Sequence, residues 1–342
     1  MSVDPIRRAL AELGDRRDLS ADLAADAFAA IVRGEATEPA IAALLTALRV
    51  KGETAEELAG AVRATREAMI PAEAPAGALD TCGTGGDGAR TLNISTAAAI
   101  VAAACGVPVV KHGNRSASGN SGSAEVLTTL GVDIEAHPAT VRRCLDELGI
   151  TFYHAPRHHP ALRHAAAVRR QLPFRTILNL VGPLANPSRP PYQLVGVPTA
   201  GQADLVAGAL LRLGVGRAAV VTGSDGLDEV TLAGPTRVLW VQGATIAEHT
   251  WTPESFGLPA RSASTLAVDG PEASAARIRS LLAGDPGVAR DYVLANAAAS
   301  LRVAGRAASL AEGASLAAAA VDEGRAAQLL ARWASMSRCE SP

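Results

Sequence analysis

The chain has 342 residues, of which 48% are hydrophobic and 19% charged, with 32 lysines and arginines against 34 acids. That length suggests about two domains with a sizeable apolar core, and the near-balanced charge excludes an overall polybasic nucleic-acid binder and an acidic disordered tail. Cys82, Cys105, Cys144 and Cys339 have no C-x-x-C spacing and are too sparse for a disulfide framework, which fits a reducing compartment. After Arg7 and Arg8 the acids Glu12 and Asp15 come too soon for a secretory h-region. The longest uncharged stretch, 91–110, contains Gly106 and Pro108 and makes a poor membrane span. A cytoplasmic protein with no membrane partner is expected.

The first 70 residues read as helices. Ser20 is placed to cap a helix whose apolar face includes Leu23, Ala27, Phe28 and Ile31, with Gly34 at its end. Thr37 and Pro39 start another, running through Leu44, Leu45 and Leu48 to Gly52. Thr54 and Glu57 have capping-box spacing ahead of a fourth. These helices carry no cluster of chemical residues, so 1–70 is expected to be a small helical domain. The stretch PAEAPAG, 71–77, breaks the pattern. From 71 to 342 short β-rich runs alternate with alanine-rich helical ones. Strands are expected at 107–111, 192–197, 218–223 and 237–242, and helices at 95–105, 202–214, 272–284 and 311–335. This alternation predicts an α/β fold, a central sheet flanked by helices.

The first chemically informative string is DTCGTGGDGARTLNIST, 80–96. Gly83, Gly85 and Gly88 satisfy G-x-G-x-x-G, but the next acid after Asp87 is Glu125, too late for the ribose contact of a dinucleotide fold, and no G-K-[ST] follows. What remains is a glycine-rich turn that offers backbone N–H groups to an anion, followed by Asn93, Ser95 and Thr96 at a helix start. Plain helix capping is the alternative for Ser95 and Thr96. The second string, VVKHGNRSASGNSGSAEVLTTLG (109–131), delivers Lys111, His112, Asn114 and Arg115 from a strand into a loop of serines and glycines. Charge and short donors there suit a phosphate, so two such loops point to one shared polyanionic ligand. His112 alone reads as structural rather than as a base.

Residues 157–175 hold Arg157, His158, His159, Arg163, His164, Arg169, Arg170 and Arg175, a local basic stretch. A carboxylate ligand would want an arginine fork from it, while most of these charges would be solvated. His158 and His159 are adjacent rather than four apart, which argues against zinc. In TGSDGLDEV, 222–230, Asp228 and Glu229 can both reach hydrated Mg²⁺, although adjacent loop acids are often only solvated.

Together GTGGDG…NIST and KHGNR…SGS resemble the anthranilate phosphoribosyltransferases of tryptophan biosynthesis, in the nucleoside phosphorylase/class IV phosphoribosyltransferase-like superfamily. HPALRHAAAVRRQLPFRTILNLVGPLANP (159–187) and GLDE (226–229) fit at the expected places. The resemblance spans essentially the whole chain. It implies a Mg²⁺-dependent pentosyltransferase that moves phosphoribosyl from phosphoribosyl pyrophosphate (PRPP) to the amine of anthranilate. It further implies that Gly83, Gly86, Asp87, Thr91, Asn93, Ile94, Ser95, Thr96, Lys111, His112, Gly113, Asn114, Arg115, Ser116, Ala117, Ser118, Gly119 and Ser123 line the PRPP site. Gly83, Asn114 and Arg169 would contact anthranilate, and Ser95, Asp228 and Glu229 would serve Mg²⁺. No covalent catalytic residue is implied; Lys111 and the metal would stabilise the transition state.

The resemblance also implies a homodimer through the helical domain, which a returning segment near 160–190 joins, with the larger α/β domain binding the phosphoribosyl group. Asn120 stands where many relatives carry lysine, so somewhat weaker PRPP binding is expected. Two rivals remain. A pyrimidine nucleoside phosphorylase would have no use for the acid pair or Arg169. A non-catalytic nucleic-acid-binding paralogue has only the basic stretch in its favour and the net charge of −2 against it.

Overall fold

The computed structural model describes residues 4–115 and 121–339. The chain opens with four helices, α1 (Pro5–Gly14), α2 (Ala21–Val32), α3 (Glu38–Lys51) and α4 (Ala55–Glu67). Their starts follow local chemistry. Asp4 and Ser20 accept the Ile6 and Leu23 N–H groups, and Thr54 with Glu57 forms the reciprocal capping box that its spacing predicts. Thr37 precedes α3 without bonding its backbone by side chain, so Pro39 and the fixed φ it brings mark that start. α2 and α4 cross closely at Gly60, where a Cβ would overlap the Ala21 carbonyl oxygen and lie 2.8 Å from Ala24 Cβ.

The rest alternates strand and helix: β1 (Leu79–Gly83), α5 (Ile94–Ala104), β2 (Val109–Gly113), α6 (Ser123–Leu130), α7 (Pro138–Leu148), β3 (Ile150–His154), α8 (Ala155–His158), α9 (Arg163–Gln171) and α10 (Leu178–Leu184). Then come β4 (Tyr192–Gly196), α11 (Ala200–Arg212), β5 (Arg217–Gly223), β6 (Thr236–Gln242), β7 (Thr245–Trp251), α12 (Gly270–Leu282), α13 (Val288–Val303), α14 (Leu310–Asp322) and α15 (Arg325–Ser337). The single helix expected at 311–335 is two, because Gly324 takes a left-handed conformation, φ 73°, between α14 and α15.

One seven-stranded sheet runs β3-β2-β1-β4-β5-β6-β7; the first five strands are parallel and β6 and β7 antiparallel. Alternate residues of the central strands enter different cores. Leu194, Ala219, Val221 and Val238 join the core built with α5, α13, α14 and α15. Val195, Val197, Ala218, Val220, Leu239 and Val241 join α11 and the core of α1–α4, which α9 and α10 also enter through Ala165, Val168, Leu178 and Val181. The sheet is thus covered on both faces, as parallel strands require. Among the described residues no helix is long and apolar enough to cross a membrane.

Candidate active site

The chain steps from β1 to β2 to β3 and then returns to β4 on the other side of β1. Open α/β sheets bind ligands beyond the strand carboxyl ends at such a reversal. Here β1 and β4 both end in glycine, Gly83 paired with Gly196. A Cβ on Gly83 would overlap Asp228 Oδ2, and one on Gly196 would overlap the Asp228 carbonyl oxygen. Two absent side chains therefore open the slot that admits Asp228.

After β1 the chain turns through Gly85, Gly86 and Gly88 at φ of 64°, 87° and 73°, a backbone that side chains resist. Asp228 Oδ2 accepts the Gly85 N–H at 2.7 Å, and Glu229 Oε1 accepts the Ser95 N–H at 3.1 Å. Ser95 lies in the first turn of α5, so Glu229 sits at the positive end of that helix. Asp87 accepts the Ala89 N–H and adds its field to the pair. Burial, reinforced by Asp87 for one and Asp228 for the other, holds the carboxyls of Asp228 and Glu229 above their ordinary range. Crowded carboxylates of this kind call for a cation.

Lys111 rises from β2 into this crowd. It is 2% exposed, and its Nζ donates to the Thr81 carbonyl at 2.6 Å and to Ser95 Oγ at 3.3 Å. Ser95 therefore connects the ammonium to Glu229. His112 is buried edge-on to His159, ring centroids 5.1 Å apart, and burial followed by His159 drives its pKa well down, so it is neutral. A Cβ on Gly113 would overlap Ser123 Oγ, which shows how closely the start of α6 approaches the end of β2. Asn114 and Arg115 are exposed there. Ser116, Ala117, Ser118, Gly119 and Asn120 lie outside the described residues.

Other expected site residues have supporting places. Ile94 and Thr96 are buried under the loop, and Thr91 bridges to Ala267. The Asn93 side chain donates to the Ser121 carbonyl and accepts from the hydroxyls of Ser121 and Ser274, tying the glycine loop to the second loop and to α12.

The basic stretch divides. Arg157, Arg163 and Arg170 are exposed, and His164 packs under Gly34. Arg169, on α9, is half-buried and has no ion pair among the described residues; burial and then Arg175 lower its pKa. Arg175 belongs to the site although the sequence placed it only among general basic charges. Its Nη2 donates to the Thr84 carbonyl at 2.6 Å, its Nη1 occupies the place of a Gly86 Cβ, and Asp228 and Asp87 attract it. Asp80 opens the 80–96 string, Asn186 falls within the 159–187 string and Gly196 within an expected strand, but their roles are set by partners distant in sequence.

Glycine loops, an acid pair and Arg169, a guanidinium with no ion pair among the described residues, belong to segments that follow the carboxyl ends of the sheet strands, beside a helical bundle. Residues 7–69 match the helical bundle domain of the glycosyl transferase family and residues 76–327 its a/b domain. Anthranilate phosphoribosyltransferase of Rhodospirillum rubrum is 49% identical over 97% of this chain and 95% of its own length. Anthranilate phosphoribosyltransferase 2 of Streptomyces coelicolor is 50% identical over 94% and 96%. The chain belongs to the anthranilate phosphoribosyltransferase family. Among solved structures, the Thermus thermophilus enzyme superposes with a TM-score of 0.92 at 40% identity, covering 98% of this chain and 100% of that one. The Saccharomyces cerevisiae enzyme in complex with PRPP and Mg superposes with a TM-score of 0.87 at 27% identity, covering 97% of each.

Proposed function

We propose that the chain transfers the phosphoribosyl group of PRPP to the amine of anthranilate, giving N-(5-phosphoribosyl)anthranilate and pyrophosphate in tryptophan biosynthesis. The observation that carries this reading is the meeting of Asp228 with Gly85 and of Glu229 with Ser95 at the mouth of the glycine loop, within reach of the Arg169–Arg175 pair. Relatives whose structures hold PRPP and Mg, and 4-fluoroanthranilate, support it.

The PRPP site would comprise Gly83, Gly86, Asp87, Thr91, Asn93 to Thr96, Lys111 to Gly119 and Ser123. The glycine turn at 85–88 lets its phosphates approach the backbone closely. The oxygens of Asp228, Glu229 and Ser95 would hold Mg²⁺; they are the hard donors this ion prefers, and a divalent charge there answers the raised carboxyls. Bound with the diphosphate, the metal would neutralise the leaving group's charge. Lys111 supplies positive charge through Ser95. Arg169 and Asn114 orient anthranilate through its carboxylate. The amine lone pair forms the N–C1 bond as the C1–oxygen bond breaks and its electron pair leaves with pyrophosphate. The nitrogen proton then goes to solvent, for the arylammonium is acidic and needs no strong base. Positioning and charge supply the rate, with no covalent enzyme intermediate.

The enzyme works as a homodimer through its helical bundle, in the cytoplasm. A nucleoside phosphorylase would leave the acid pair and Arg169 idle. A nucleic-acid surface is disfavoured because Arg175 turns onto the loop, donating to the Thr84 carbonyl, and the net charge is −2.

The test is anthranilate fluorescence on mixing with enzyme, PRPP and Mg²⁺. The expected result is loss of signal that needs all components. Persistence of the signal with folded, PRPP-binding protein would mean another acceptor.

A further inference from the structure

One buried polar network joins the two halves of the site without belonging to either. Asp80, on β1, is fully buried; its Oδ1 accepts the His112 N–H at 3.2 Å and its Oδ2 accepts the Asn186 amide at 2.9 Å. Asn186, also fully buried, donates again to the Val110 carbonyl at 2.8 Å, and its Oδ1 accepts the Ser188 N–H and hydroxyl at 3.0 and 2.8 Å. The amide of Asn186 is therefore fully used, and both carboxylate oxygens of Asp80 are bonded.

Such a carboxylate is costly to bury. Burial pushes the Asp80 carboxyl up to about 6, opposed by the charge of Lys111 and then by Asn186. Well-packed apolar residues would hold two strands together without that cost, so a buried charge here is weak as a stability device. What it holds is specific: the backbone of His112 where β2 leaves the sheet, the charge of Lys111, and, through Asn186, the end of the segment that carries Arg169 and Arg175. That segment end is gripped again where Arg66 donates to the Leu184 carbonyl at 2.6 and 2.9 Å and Gln193 to the Pro183 carbonyl at 3.2 Å.

We propose that Asp80 and Asn186 are positioning residues: their bond fixes the strand bearing Lys111 and His112 against the segment bearing Arg169, so that the donor and acceptor halves of the site keep one spacing. The proposal rests on the transferase reading above. A spacing error of about 1 Å between reacting groups costs roughly 100-fold in rate, with less effect on the binding of either substrate alone.

The test compares Asp80→Asn, Asn186→Asp and the double exchange by steady-state kinetics, by calorimetry with PRPP and Mg²⁺, and by thermal melting. In Asp80→Asn one amide must accept from two donors and turns its NH₂ against one of them. In the double exchange the amide now on β1 accepts the His112 N–H and donates to the carboxylate now at position 186. The pair re-forms, but the charge leaves β1 and the Val110 carbonyl loses its donor.

The expected result for Asp80→Asn is a kcat lowered about 30-fold or more with PRPP affinity changed less than about 3-fold, and a double exchange that recovers much of kcat because the pair re-forms. A folded Asp80→Asn enzyme within about 3-fold of the parent kcat overturns the proposal, as does a double exchange that recovers melting temperature but none of the lost kcat. Should Asp80→Asn fail to fold, Asn186→Ser, which keeps the Asp80–His112 bond, reads the same split. A parent enzyme without anthranilate turnover overturns the transferase reading and the proposal together, whereas an active parent with unaffected variants overturns the proposal alone.

Discussion

Asp228 and Gly85, 143 residues apart in the chain, meet in a 2.7 Å hydrogen bond that exists because position 83 has no side chain. The Gly83→Ala substitution puts a methyl group on the Asp228 carboxylate and displaces it from the loop. We expect loss of most activity with a melting temperature within a few degrees of the parent, because Gly83 is exposed and packs no core. Gly196→Ala is more severe. Its methyl meets the Asp228 backbone, which has no rotamer to yield, so activity and stability should fall together. Kinetics and melting of the two variants, side by side, check the distinction.

Arg169 has no counter-ion among the described residues and lies beside Arg175, so an incoming carboxylate relieves both burial and repulsion. Arg169→Ala should raise the KM for anthranilate about 10- to 100-fold, the value of one or two charge-assisted hydrogen bonds, and leave the KM for PRPP within about 2-fold. An unchanged anthranilate KM would refute the carboxylate assignment.

Glu57 is wholly buried in the helical bundle. It accepts the N–H groups of Leu19 and Thr54 at 2.9 and 2.8 Å and pairs with Lys51 at 3.1 Å. Glu57→Ala leaves two buried backbone donors without acceptors and takes from Lys51 one of its two carboxylates, and should cost about 2 kcal/mol or more. Urea denaturation measures this directly; a loss below about 1 kcal/mol would mean that Asp18, 2.6 Å from Lys51, carries the charge alone.

Burial pushes His159 down to about 4 from 6.5. Between those values the unfolded chain binds a proton that the folded chain does not. This contribution to stability is therefore complete above pH 6.5 and lost as pH falls toward 4. At most it is worth about 3 kcal/mol. Asp80 works oppositely, since its raised carboxyl favours the folded state as pH falls through 6. The two are separated by comparing melting temperatures of the parent and His159→Asn from pH 7 to 4.5. The variant should show the flatter acid limb, and parallel curves would contradict the buried neutral imidazole.

Elements with strong local signatures are legible in the amino-acid sequence. The capping box at Thr54 and Glu57, the cap at Ser20, and β4, β5 and β6 follow from short-range chemistry and apolar runs. β1 and β3 are not, because LDTCG and ITFYH mix polar residues whose partners, Asn186 for Asp80 and Glu135 for His154, are distant in sequence. β7 is missed for the opposite reason: it is an exposed edge strand, and its polar sequence reads as loop. In the site, the glycine loop and the Asp228–Glu229 pair are visible as strings. Arg175 is not distinguishable by sequence from Arg170, since only the fold decides which one faces Gly86.

The helical bundle is built from two pieces of chain. Ala165, Val168, Leu178 and Val181 complete the apolar interior that α1 to α4 begin, and α11 closes it from the sheet side. A nascent chain that has released only its first four helices holds an unfinished core whose missing wall is still untranslated. That core is complete only once the chain has been made as far as Val241, after β1 to β6. The first part of the protein to be synthesised therefore waits for the middle of the chain, while the other core, which needs α13 to α15, is completed only by the last residues made.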